Sequence, residues 1–156
     1  MKLFVDTADL GEIEALVPLG IIDGVTTNPS LLAKVGNDPR GVLKRICELV
    51  KGPVSAEVVE TDCDGMVREG RELAAIDSHI VVKVPFGKAG VQACHVLANE
   101  GVRVNVTLIF SASQALLAAK VGAAFVSPFV GRLDDIGTAG MDLIRTIVEI
   151  FENFEF

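Results

Sequence analysis

The chain contains no tryptophan or tyrosine, three cysteines, two histidines, and no excess of positive charge. Each shortage removes a class of function. Stacking on single-stranded nucleic acid draws on aromatic side chains, and phenylalanine is the sole aromatic residue here apart from the two histidines. A formal net charge of −7 argues against general affinity for nucleic acid or anionic membranes, which favour basic surfaces. One local anion site is still compatible with it. Cys47, Cys63 and Cys94 are odd in number and lack close metal-type spacing, so reduced thiols in a cytoplasmic protein are expected. His79 and His95 stand far from any cysteine or carboxylate cluster, which leaves packing or solvent-facing roles and no metal site. Met1-Lys2-Leu3-Phe4-Val5-Asp6 lacks the apolar stretch and cleavage site of a signal peptide. The apolar runs are too short to span a bilayer.

Half of the residues are hydrophobic and 22% are charged, a balance of globular rather than disordered chains. At 156 residues one domain covering 1–156 is expected. Short apolar segments recur, each followed by a stretch of helical spacing. The candidate strands are Leu3–Asp6, Gly24–Thr27, Val54–Val59, Ile80–Val84, Arg103–Leu108 and Ala124–Ser127, rich in Val and Ile and too short for helices. Asp9, Ser30, Thr61, Ser111 and Asp135 read as helix starts. Gly20, Gly52, Gly101 and Gly122 fall where helices end. Alternation of this kind specifies parallel α/β architecture.

An open nucleotide-binding sheet would carry a glycine-rich turn after its first strand, but the residues there are Asp6-Thr7-Ala8-Asp9. Polar residues gather instead at the carboxyl ends of the strands, as on the catalytic face of a TIM barrel. The fold class expected is therefore a (β/α)8 TIM-barrel type with about six of the eight βα units present. Six units in 156 residues leave about 26 residues each, and eight would need about 208, near the lower limit for such barrels. The closing Ile150-Phe151-Glu152-Asn153-Phe154-Glu155-Phe156 shows no cap signal and reads as a cut after a sixth helix. An unclosed barrel leaves exposed edges. Completion is expected from a homo-oligomer, from swapping, or from a further segment.

Side chains two apart on a strand share a face. Thr26 goes with Asn28, Ser55 with Glu57, Asn105 with Thr107, and Ser127 with Phe129. If those faces line the barrel, Asp6, Asn28, Glu57, Lys83, Asn105, Thr107 and Ser127 converge near its mouth. Lys83 interrupts the apolar Ile80-Val81-Val82-Lys83-Val84-Pro85. Burying an ammonium is costly, so such a lysine is either neutralised or held in a tight ion pair. A neutral amine is a nucleophile toward a ketone; the alternative is a structural pair with Asp6 or Glu57. Asp6 is either a general acid/base or a cap on the following helix. Glu57, with Thr107, is placed to hold a water, or else pairs with Lys83. Arg132 either binds a phosphate or makes a surface salt bridge to Asp134 or Asp135.

The blocks Phe4-Val5-Asp6-Thr7-Ala8, Gly24-Val25-Thr26-Thr27-Asn28-Pro29-Ser30, Val54-Ser55-Ala56-Glu57-Val58, Val82-Lys83-Val84-Pro85, Asn105-Val106-Thr107-Leu108-Ile109-Phe110-Ser111 and Val126-Ser127-Pro128-Phe129-Val130-Gly131-Arg132 occur in that order. Together they resemble the small transaldolases and the related fructose-6-phosphate aldolases. The resemblance implies class I aldol chemistry with no metal or organic cofactor. Lys83 would form the imine, Asp6 would act as acid/base, and Glu57 and Thr107 would position the catalytic water. Asn28, Asn105 and Ser127 would hold the dihydroxyacetone moiety, Thr26 and Phe129 would complete the substrate site, and Arg132 would bind phosphate. Substrates would be sedoheptulose 7-phosphate or fructose 6-phosphate with an aldose phosphate acceptor. Glu57 and Phe129 match the transaldolase branch, where the aldolases tend toward Gln and Tyr. Family members add a seventh strand, with a further Ser and Arg, and an eighth. A releasing aldolase and a non-catalytic barrel fragment are the alternatives.

Overall fold

The computed structural model describes residues 1–156. Its elements in chain order are β1 (Phe4–Asp6), α1 (Leu10–Leu16), a 3-10 turn (Val17–Leu19), β2 (Gly24–Thr26), α2 (Pro29–Val35), α3 (Pro39–Val50), β3 (Val54–Glu57), α4 (Cys63–Ala74), β4 (Ile80–Pro85), α5 (Lys88–Asn99), β5 (Val104–Ile109), α6 (Ala112–Lys120), β6 (Phe125–Pro128), α7 (Val130–Asp135) and α8 (Gly140–Phe154). The strands hydrogen-bond in the order β1-β2-β3-β4-β5-β6. A doubly wound sheet would reverse direction at a switch point. Sequential parallel order with intervening helices is that of a partial (β/α) barrel. No helix is long and apolar enough to cross a membrane.

The chain divides into two compact units, one of Met1–Glu60 with Arg68–Lys83, the other of Thr61–Val67 with Val84–Phe156. In the first, register assigns the faces. Val25 pairs with Val54, and Val54 with Ile80, so Val25, Val54, Ala56, Ile80 and Val82 share one face. This face meets α3 through Leu43, Ile46 and Cys47, all of them buried. Such an interior is stabilised by about 1.5–3 kcal/mol per buried aliphatic side chain, and Ile46→Ala would cost about 2–5 kcal/mol. The opposite face carries Asp6, Thr26, Ser55, Glu57 and Lys83, because Asp6 pairs with Thr26, Thr26 with Ser55, and Glu57 with Lys83.

In the second unit Val104, Val106 and Ile109 are fully buried, along with Ala115 and Ala118 of α6 and Leu97 of α5. Asn105 and Thr107 occupy the other side of β5 and are 3% exposed each. Here too one sheet face is aliphatic and one is polar.

Several helix boundaries differ from expectation. Asp9 caps α1, accepting from the Gly11 and Glu12 amides, and Ser111 forms a reciprocal capping box with Gln114. Ser30, however, lies inside α2, whose cap is Asn28. Pro29 is the reason, since proline prefers the first helical position and places the cap just before it. The side chain at the start of α4 is that of Asp62, not Thr61; its carboxylate accepts from the Gly65 amide at 2.9 Å. Asp135 ends α7 instead of opening α8, while Asp134 accepts from the Gly140 amide at 2.8 Å. At the end of α3 the left-handed residue is Lys51 (φ 52), not Gly52. Glycine is required at position 52 for a different reason: the Asp23 carbonyl occupies the space a Cβ would need. The terminal helix also has a cap. Glu155 takes φ 56 and donates its amide to the Phe151 carbonyl, and Phe156 rests its ring on Phe151.

Candidate functional site

In the first unit, β4 delivers Lys83 beside Glu57 of β3. The Lys83 side chain is 9% exposed, and its Nζ lies 2.9 Å from Glu57 Oε2. The same Nζ donates to the Thr27 carbonyl oxygen at 2.6 Å. Thr27 was not among the residues singled out from sequence. Its side chain is fully buried and its hydroxyl donates to the Ser55 carbonyl at 2.8 Å. That bond fixes the backbone whose carbonyl holds the amine. The consecutive Thr26-Thr27 at the end of β2 was the available signal.

Of the two carboxylates foreseen as partners for this lysine, the structure places one within ion-pair distance. Glu57 is the partner and is itself half-buried, with 21% of its side chain exposed. Pairing across neighbouring strands follows from the register, in which Glu57 stands opposite Lys83.

Asp6 does not cap α1; Asp9 does so. Asp6 is exposed at the carboxyl end of β1 and accepts a hydrogen bond from Thr26 Oγ1 at 2.8 Å. This bond orients the carboxylate. Asn28 has a structural task that sequence reading did not give it, because its Oδ1 caps α2 by accepting from the Leu31 amide at 2.9 Å. The side-chain NH2 group is the part of Asn28 not engaged by that cap.

In the second unit, Asn105, Thr107, Ser127, Phe129 and Arg132 come from β5, β6 and the start of α7. Ser127 Oγ donates to Asn105 Oδ1 at 2.9 Å, so these two are brought together. Thr107 is buried, and its carbonyl accepts from the Phe86 amide at 2.8 Å. Phe129 lies 5.5 Å from Phe110, centroid to centroid. Arg132 makes the surface pair weighed for it: Nη1 lies 3.4 Å from Asp135 Oδ2, with the arginine side chain 73% exposed. An open depression of about 530 Å³ is lined by Pro128, Phe129, Val130, Gly131, Arg132 and Asp135. A pair this exposed contributes only about 0–1 kcal/mol, so a phosphate could displace the aspartate.

The two histidines have local partners. His79 Nδ1 sits 2.7 Å from Asp77 Oδ1, and His95 Nε2 is 3.2 Å from Asn99 Nδ2. The His79 backbone amide and ring hold the Asp77 carboxyl below its ordinary value. Burial pushes the Cys47 thiol up to about 12 and the Cys94 thiol up to about 11.

Residues 3–156 match the family model described as transaldolase/fructose-6-phosphate aldolase. A protein of Jannaschia sp. (strain CCS1) named "Probable transaldolase" is 62% identical over 156 residues, covering 100% of this chain and 72% of that protein. A "Probable transaldolase" of Clostridium perfringens is 58% identical over 151 residues, covering 97% and 70% respectively. Among solved structures, the carboxyl transferase domain of Rhizobium etli pyruvate carboxylase superposes with a TM-score of 0.58 at 11% identity, over 81% of this chain and 30% of that one. Muconate lactonizing enzyme from Klebsiella pneumoniae gives 0.57 at 12% identity, over 96% and 42%. Identities this low speak for the fold alone. The sequence matches go further: the chain belongs to the transaldolase/fructose-6-phosphate aldolase family.

Proposed function

We propose that the protein is a transaldolase that carries a dihydroxyacetone unit on Lys83 from a ketose phosphate to an aldose phosphate. The observation that carries this reading is the Lys83 amine, withdrawn from solvent on a strand of Ile and Val and bound to one carboxylate and one carbonyl. A purely structural lysine gains little from such a position, since burying a charge pair seldom adds net stability.

The chemistry follows from the groups around it. Glu57, at 2.9 Å, takes the proton that the ammonium must lose before attack. The amine adds to the ketone, water leaves, and an imine forms with fructose 6-phosphate or sedoheptulose 7-phosphate. Asp6 removes the hydroxyl proton, and the adjoining carbon–carbon bond breaks to release an aldose phosphate. The enamine left on Lys83 attacks the acceptor aldehyde, and Asp6 returns the proton to the new hydroxyl. Glu57 and Thr107 handle the water consumed when the imine is hydrolysed. Asn28 binds through its free NH2 group, while Asn105, Ser127 and Thr26 hold hydroxyls. Arg132 exchanges Asp135 for the phosphate. Glu57 and Phe129 favour transfer over release, as the transaldolase branch has these residues. The reaction needs no metal and no organic cofactor, and it fits a cytoplasmic sugar-phosphate enzyme working as a homo-oligomer.

Mixing the protein with fructose 6-phosphate and erythrose 4-phosphate tests the reading directly. Sedoheptulose 7-phosphate should appear with an equal amount of glyceraldehyde 3-phosphate. Glyceraldehyde 3-phosphate matched by free dihydroxyacetone would identify a releasing aldolase instead.

A further inference from the structure

The Lys83 amine has two partners of different kinds, and both lie with it in the first unit. Glu57 Oε2, 2.9 Å away, belongs to a carboxylate, which can take up a proton. The Thr27 carbonyl oxygen, at 2.6 Å, accepts a hydrogen bond without taking the proton. Thr27 is itself tied twice to β3. Its amide donates to the Ser55 carbonyl at 3.0 Å, and its hydroxyl donates to the same oxygen at 2.8 Å. Both Thr27 and Ser55 are buried, so water does not compete for these bonds. Because the amide already supplies the Ser55 oxygen with a partner, the hydroxyl is not needed to satisfy it. What the hydroxyl adds is a fixed orientation of Thr27, and with it the direction of the carbonyl that meets the amine.

We infer that the Thr27 carbonyl retains one hydrogen on Lys83 Nζ and so keeps the substrate imine protonated, with the Thr27 hydroxyl as the positioning group behind it. The inference rests on the transaldolase reading and deepens it. A lysine ammonium carries three hydrogens. One passes to Glu57 as a proton, and the electron pair it leaves on nitrogen forms the bond to the ketone carbon. A second moves from nitrogen to the ketone oxygen. Glu57 then returns its proton to that oxygen, the carbon–oxygen bond breaks, and water departs with two of the three hydrogens. The third stays on a nitrogen that is now doubly bonded to carbon and positively charged. In this protonated form the imine draws in the electron pair of the breaking carbon–carbon bond. A hydrogen bond to the charged form favours that form, and an acceptor that does not remove the hydrogen can hold it through every step.

The test compares Thr27→Val and Thr27→Ser with the unsubstituted protein, each supplied with fructose 6-phosphate from neutral to alkaline pH. Adduct on the Lys83 peptide is measured after reduction with cyanoborohydride, which reduces the protonated imine and not the neutral one. Parallel samples receive borohydride, which reduces both. Loosening a hydrogen bond to the charged form lets the proton leave at lower pH. The cyanoborohydride-to-borohydride ratio should therefore fall about half to one pH unit earlier in Thr27→Val. Thr27→Ser keeps the hydroxyl and should follow the unsubstituted protein. An unshifted ratio in Thr27→Val overturns the inference, and so does an equal shift in Thr27→Ser. Adduct lost in the same proportion with both reagents, the ratio unshifted, is what a merely structural role predicts and overturns it too. Should Thr27→Val fail to fold, Thr27→Ala is read by the same criterion. Absence of adduct with either reagent in the unsubstituted protein defeats the transaldolase reading itself, and this inference with it.

Discussion

With one carboxylate and one carbonyl as its partners, Lys83 occupies a site where losing Glu57 and losing the pair have different consequences. Glu57→Ala leaves an ammonium 9% exposed without its counter-charge, and breaking such a pair costs about 3 kcal/mol, the low end for buried pairs, because Glu57 is partly wet. Lys83→Met with Glu57→Leu removes both charges and should recover most of that stability. Chemical denaturation midpoints of the two variants check this; equal losses would show that the pair itself holds the fold together. The thiols obey the same physics of burial. Cys47 and Cys94 have their thiolates disfavoured, at about 12 and about 11, while Cys63 is half-buried at the start of α4. At about pH 8 an alkylating reagent attacks thiolate, not thiol. One cysteine should therefore be modified in the native protein and all three after denaturation, with peptide mapping to identify Cys63. The Lys83–Glu57 contact was legible because charge inside an apolar strand is conspicuous. Thr27 was not, since it acts through its main-chain carbonyl, which no residue type announces. The cap role of Asn28 was hidden behind Ser30, an equally good capping residue two positions on.

Among the elements, strands were easier to read from sequence than helix ends. Buried parallel strands are short runs of Val and Ile, and all six appear within a few residues of their expected limits. Helix starts depend on which of several adjacent Asp, Asn, Ser or Thr residues wins, and at α4 the winner was Asp62, whereas α8 starts after Ala139, with Asp134 reaching the Gly140 amide from six residues back. The bulge in β5, where Val106 pairs with Val126 but Ile109 with Pro128, was invisible for a clearer reason. Strict alternation places Asn105 and Thr107 correctly but cannot reveal that a leucine will adopt φ 59. That conformation sets a prediction. Leu108→Gly should stay within about 1 kcal/mol of the parent, as glycine reaches left-handed space freely and offsets the lost side chain. Leu108→Val, though closer in size, should destabilise by more than about 1 kcal/mol, because a β-branched residue tolerates positive φ poorly. Urea denaturation of the two variants distinguishes them, and a valine variant as stable as the glycine variant would mean the bulge is not strained.

At the scale of the whole molecule, the sequential strand order and the family were both readable from the chain, because six motif blocks keep their order along it. The division into two compact units was not, since no linker or change of composition marks it. Lys83 is the last residue of the first unit and Val84 begins the longer segment of the second, within a strand whose residues look alike. The site residues fall into two groups accordingly. Asp6, Thr26, Asn28, Glu57 and Lys83 belong to the first, and Asn105, Thr107, Ser127, Phe129 and Arg132 to the second. The net charge of −7 opposes the general approach of an anion such as the proposed sugar phosphate, so the proposed function places its binding on local donors such as Arg132. What every part of this account requires is a covalent bond between substrate and one nitrogen. Borohydride reduction in the presence of fructose 6-phosphate, followed by peptide mass spectrometry, looks for that bond. The account predicts a reduced sugar adduct on the Lys83 peptide, lost in Lys83→Met. No adduct on the folded protein, or one that persists in Lys83→Met, would contradict it.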